Sequence, residues 1–129
     1  MNQTLASLLF FASFNSIAQS NPEVYLCDIK SENGGLATSN FQNISNDEGY
    51  DSQPSFANNN TVLFAGNKNG QTDIAMYNIS EKTKTWVHKT TEGGEYSPIQ
   101  IPGYETKTSA VRLDPDGLQR LYMYDEISN

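Results

Sequence analysis

His88 is the only histidine of the 129-residue chain and Cys27 its only cysteine. Those two counts restrict the chemistry at once. A Ser–His–acid triad would have to be assembled around His88, yet no G-x-S-x-G elbow occurs and no nucleophile stands in a recognisable setting. His88 lies in the run TWVHK and reads as a strand residue. A single cysteine allows no intramolecular disulfide, and one Cys with one His cannot build a zinc site. Two segments gather oxygen ligands, NDEGYD at 46–51 and DPDG at 114–117. Neither has the alternating spacing of an EF-hand loop, and turn formation explains both. The expectation is a non-enzymatic chain with no catalytic residue, no metal and no cofactor.

What could recognise a partner is a pair of related polar segments, GYDSQPSF from Gly49 and GEYSPIQI from Gly94. Each runs acid–x–polar–Pro: Asp51 over Glu95, Gln53 over Ser97 and Pro54 over Pro98, a shift of 44 residues. Tyr50 and Tyr96 stand beside the acids and could supply stacking or hydrogen bonds. Arg112 interrupts the apolar run SAVRL, where a guanidinium is costly unless an acid pairs with it. The acids also have a plainer use, capping backbone N–H groups where a strand begins.

The elements that must position these residues form a repeat. EVYLCDI begins at Glu23, DIAMYNI at Asp73 and RLYMYDE at Arg120. The last two copies extend backwards without a gap, TVLFAGNKNGQTDIAMYN from Thr61 lying over TSAVRLDPDGLQRLYMYD from Thr108 at a shift of 47 residues. Short apolar runs bounded by turn residues predict strands covered on both faces. Asn69-Gly70 and Asp116-Gly117 place glycine where a tight hairpin needs positive φ. Pro54 and Pro98 lack an N–H, so their strands must lie at a sheet edge or begin there. A unit of about 47 residues holding a small sheet falls in the range of β-propeller blades.

The stretch YDSQPSFANNNTVLFAGNKNGQTDIAMYNI resembles the WD40-like (PD40) repeat of TolB-type propellers: Asp, small, x, Pro, small, aromatic, turn, apolar strand, Gly turn and a DIY-like strand. The likeness covers Gly49–Ile79 well, Glu95–Asp125 moderately, and Glu23–Asn43 as the tail of an earlier blade. ANNN replaces the usual polar-Pro-Asp-Gly turn, Ile99-Gln100 replaces the small–aromatic pair, and Ala75 stands where tyrosine is usual. The resemblance implies an all-β fold of antiparallel four-stranded blades in an incomplete propeller. It further implies that Asp51 and Gln53, matched by Glu95 and Ser97, line one mouth of the central funnel, where a protein or small ligand would bind, with Tyr50 and Tyr96 beside them. Arg112 is expected to be either a funnel-lining charge or a blade–blade salt-bridge partner. Two other functions share such a fold: the N-terminal gate of a prolyl-oligopeptidase-like serine hydrolase, and a lactonase-like enzyme with metal in its funnel. Fold alone does not choose among them.

Composition and the chain's first residues bound the setting. LASLLFFASF at 5–14 followed by AQS at 18–20 reads as an export signal, residues 1–20, cleaved before Asn21. Cys27 follows bulky residues, unlike a lipoprotein acylation site, and reads as a small buried hydrophobe. The expected location is periplasmic or secreted, in a bacterium, with no membrane insertion after cleavage. A formal charge of −7 repels phosphate backbones, so no nucleic acid is expected as partner. Residues 21–129 hold a little over two units, whereas closed propellers use roughly 4–8 blades. The chain is therefore expected to be the N-terminal part of a longer propeller, or to self-associate.

Overall fold

The computed structural model describes residues 21–87 and 90–125. Nine strands occur in them, in three antiparallel sheets, with no helix among the described residues. The first sheet pairs β1 (Tyr25–Glu32) with β2 (Gly35–Asn43). The second has the order β3 (Ser52–Asn58), β4 (Thr61–Lys68), β5 (Gln71–Asn78), β6 (Thr83–Trp86). The third has the order β7 (Gly94–Gln100), β8 (Lys107–Leu113), β9 (Gln119–Asp125). The expected all-β, antiparallel class is what these residues adopt. Four strands occur in the middle sheet alone, and the described residues close into neither a ring nor a barrel.

The turns follow from residue type. Asn33-Gly34 and Asn69-Gly70 are two-residue hairpin connections in which both residues hold positive φ, as a type I′ turn requires. The prolines behave as their missing N–H dictates. Pro54 lies in β3 and Pro98 in β7, each the edge strand of its sheet. At both places the pairing register breaks, and the residue before each proline, Gln53 or Ser97, takes positive φ (55° and 51°). The two copies of the polar motif are thus the same bulge built twice.

The middle sheet is sandwiched. One face presents Val62, Phe64, Ala75 and Tyr77 to Val24, Leu26 and Ile44 beside and within the first sheet. The other presents Leu63, Ile74 and Met76 to Ala110 and Tyr124 of the third sheet. Both faces being covered, β4 and β5 read as continuous apolar runs instead of alternating ones. Phe64, Leu63 and Ile74 have no exposed surface, each contributing about 1.5–3 kcal/mol of transfer free energy.

The gapless 47-residue superposition is corrected by the strand register. In the middle sheet Phe64 faces Ala75 and Leu63 faces Met76. In the third sheet Ala110 faces Tyr122 and Ser109 faces Met123. With Met123 in the place of Met76, Phe64 is therefore replaced by Ala110 and Val62 by Thr108, a shift of 46 residues on β8 against 47 on β9. The extra residue sits in the turn. Asp114–Leu118 is a five-residue connection in which the Gly117 N–H donates to the Asp114 carbonyl at 2.9 Å and the Asp114 N–H to the Leu118 carbonyl at 2.9 Å. A longer turn with one αL glycine replaces a two-residue type I′ turn, and the alternation of β8 slips by one. Cys27, expected buried, is half-buried.

Candidate binding site

Only part of the predicted set comes together. Gln53 and Ser97, the two bulge residues, meet across the seam between β3 and β7: the Ser97 N–H donates to Gln53 Oε1 at 2.9 Å. One position further along, the Ser55 hydroxyl donates to the Pro98 carbonyl. Beside this double tie lies a cavity of about 290 Å³ lined by Gln53, Tyr96, Ser97, Val111, Leu113 and Gln119. Its wall combines two primary amides and a serine with a half-buried tyrosine and two aliphatic side chains. Such a lining offers donors, acceptors and apolar contact with no fixed charge.

The two acids point elsewhere. Asp51 (1 % exposed) and Glu95 (0 % exposed) are buried. Asp51 Oδ1 accepts the Asn67 N–H at 3.0 Å, the capping use foreseen for a strand-entrance acid, and Asp51 Oδ2 has no hydrogen-bond partner. Burial pushes its carboxyl above the usual value, and the Asn67 bond offsets only part of the shift. Glu95 Oε1 accepts from the Tyr124 hydroxyl at 3.0 Å. Burial raises Glu95 as well, against the pull of the hydroxyl hydrogen bonds, and Tyr124 is raised in turn, by burial first and by the facing carboxylate second. Asp73 on the middle sheet adds repulsion at Glu95, and Asp47 and Glu23 do so at Asp51. Both acids are bonded within their own sheets, Asp51 to β4 and Glu95 to β9.

Arg112 acts within its own sheet. Its Nη2 donates to the Glu92 carbonyl at 2.8 Å, its Nε lies 3.2 Å from Asp114 Oδ1, and its guanidinium stacks 5.5 Å from the Tyr122 ring centre. Asp114 also binds Arg120 Nη1 at 2.6 Å and accepts from the Tyr122 hydroxyl at 2.9 Å. Arg120 holds the Asp114 carboxyl below the usual range, with Tyr122 assisting. The carboxylates of the DPDG turn are thereby engaged by protein cations. Tyr50 stands at the surface, outside the linings described here. His88 and residues 1–20, expected to be an export signal, lie outside the described residues.

Sequence reasoning missed the larger groove, about 860 Å³, at the opposite end of β3 and β7. Phe56 and Tyr104 stand exposed along it, with Lys107 Nζ 5.0 Å from the Tyr104 ring centre. The pattern IPGYE at 101–105 marked only a turn, and no periodicity places a loop tyrosine opposite Phe56. Missed too was the clamp on Glu23, whose carboxylate accepts from the Ser45 hydroxyl at 2.5 Å and the Asn46 N–H at 2.9 Å. The Ser45 bond leads in holding Glu23 below its ordinary value. No family model and no curated protein matches the chain.

Proposed function

We propose that this chain is a non-enzymatic binding scaffold, exported to the periplasm or the medium, whose sheets are blades of a TolB-like propeller. The ligand, a protein segment or a small polar molecule, is engaged where the two bulges meet. The observation that carries this reading is the bond from the Ser97 N–H to Gln53 Oε1, which sets equivalent residues of successive repeats side by side at one cavity. A repeat that returns the same entrance motif to the same opening builds a composite surface, and binding is what such surfaces do. The amide-rich, uncharged lining favours neutral hydrogen-bonding groups such as a peptide backbone. Asp51, Glu95 and Arg112 hold the sheets and turns in place; Gln53 and Tyr96 are the contact residues.

The test is an amide-shift titration of the isotope-labelled chain with short neutral peptides and with neutral oligosaccharides. The reading expects perturbations to converge on the amides of Ser97, Leu113 and Gln119 and to vanish in Gln53→Ala/Tyr96→Ala. Perturbations confined to the Phe56–Tyr104 groove would contradict it, and turnover of an ester or peptide substrate by the purified chain would overturn the non-enzymatic assignment.

A further inference from the structure

Twice within the chain the leading face of one sheet covers the trailing face of the next. Val24 and Leu26 seat against Ala75 and Tyr77, and Ile74 and Met76 seat against Ala110 and Tyr124. In the repeat, Val24, Ile74 and Leu121 are one position, and Leu26, Met76 and Met123 another. The first two copies are covered; Leu121 is 76 % exposed and Met123 60 %. Register adds Ile99 to the Met123 row through Ser109, and Ile99 is exposed as well. The leading face of the third sheet is therefore an apolar docking face built to the same pattern as two that are filled.

The trailing face of the first sheet is its unfilled complement. Leu26 and Gln42 are cross-strand partners, and both face the middle sheet, Leu26 in its core and Gln42 through a bond to the Tyr77 hydroxyl. Strand alternation puts Tyr25, Cys27 and Phe41 on the other side. Tyr25 and Cys27 are the repeat counterparts of Ala75 and Tyr77, the residues that receive a leading face. Tyr25 and Phe41 are exposed.

We infer that the leading face of the third sheet docks on the trailing face of the first sheet of a second copy, so that the chain self-associates head to tail. The contact continues the front-on-back stacking already present inside the chain, and it shares its face with the cavity at Gln53. Val111 of that cavity is the cross-strand partner of Leu121, and its Leu113 and Gln119 pair two residues along, so a second copy and whatever the cavity binds compete for the face. Leu121 and Met123 of one copy lie against Tyr25, Cys27 and Phe41 of the next, at the spacing of face-packed sheets, about 10 Å. The interface is heterologous: each added copy leaves one face of each kind open, so assembly proceeds to a ring or a filament. Two strands meet three at this seam, so the contact is weaker than the internal ones and association depends on concentration.

Sedimentation velocity of the whole chain over a range of concentrations, with Leu121→Asp and Phe41→Asp, tests the inference. Both side chains are exposed, and circular dichroism matching the parent establishes that each variant folds. The expected result is a parent whose average mass grows with concentration, two variants that are each monomeric alone, and an equimolar mixture of them that forms a dimer and nothing larger. The mixture succeeds because Leu121→Asp keeps an intact trailing face and Phe41→Asp an intact leading face. A parent that stays monomeric throughout, assembly that survives both variants, or a mixture that stays monomeric would each overturn the head-to-tail arrangement.

Discussion

The middle and third sheets start from the same repeat and reach different ends. In the middle sheet Leu63, Phe64, Ile74 and Ala75 are all fully buried, because a sheet stands on either side. In the third sheet the residues in those places are Ser109, Ala110, Leu121 and Tyr122, and Ala110 alone is fully buried. The difference lies in what is packed outside the strand more than in the strand itself: isoleucine and leucine at one repeat position lie at opposite extremes of exposure. A second contrast sits at the acid. Gly66 abuts Asp51, where an added Cβ would lie 3.0 Å from Asp51 Oδ1 and 3.2 Å from the Trp86 ring. In the third sheet Arg112 stands opposite Glu95, steered outward to Asp114 and the Glu92 carbonyl. One unit keeps room for its buried acid by having no side chain there; the other sends a long side chain away.

The largest effect that would test this contrast is Phe64→Ala. It empties the first-to-second seam at a residue with no exposure, and urea unfolding is expected to show a loss of about 3–5 kcal/mol. A loss below about 1 kcal/mol would mean that the seam is not packed as described. Next comes Gly66→Ala, which presses a methyl group toward Asp51 and Trp86 and is expected to cost about 1–3 kcal/mol; a neutral result would remove the steric account of that glycine.

Smaller, and diagnostic by its sign, is Glu95→Gln. Burial raises the Glu95 carboxyl above its unfolded value of 4.5. The folded state therefore binds this proton more tightly, and the stability it lends is fully present below 4.5 and lost as pH rises through the folded value. The variant drops that loss while keeping an oxygen for the Tyr124 hydroxyl. Its melting temperature near neutral pH is expected to exceed the parent's, and the two proteins should converge toward pH 4.5. A variant less stable than the parent at neutral pH would show that the ionised carboxylate is satisfied in place.

Much of this architecture is legible in the residues. The apolar runs at Thr61 and Gln71, the Asn69-Gly70 turn, and the two prolines confined to edge strands follow from local physics and recur in the structure. The hairpin at Asn33-Gly34 carried an equally plain signal, overlooked because 23–43 reads as the remnant of a repeat instead of a hairpin of its own. The slip on β8 was not legible: aligning glycine with glycine across two turns hides that one turn is three residues longer between paired strand ends. Of the candidate site, the motif places Gln53 beside Ser97 at equivalent positions, but it does not say which way an acid beside a bulge points. Asp51 and Glu95 are buried and accept from the Asn67 N–H and the Tyr124 hydroxyl of their own sheets, a choice of partner with no compositional mark.

The central claim is that burial in this chain is set by stacking of successive sheets, position for position along the repeat. The most direct measurement compares Ile74→Ala with Leu121→Ala in urea at dilute, monomeric concentration. These are one repeat position, covered in the second sheet and open in the third. The account predicts a cost of about 2–5 kcal/mol for Ile74→Ala and a change within about 0.5 kcal/mol for Leu121→Ala. Equal costs at the two sites would contradict it.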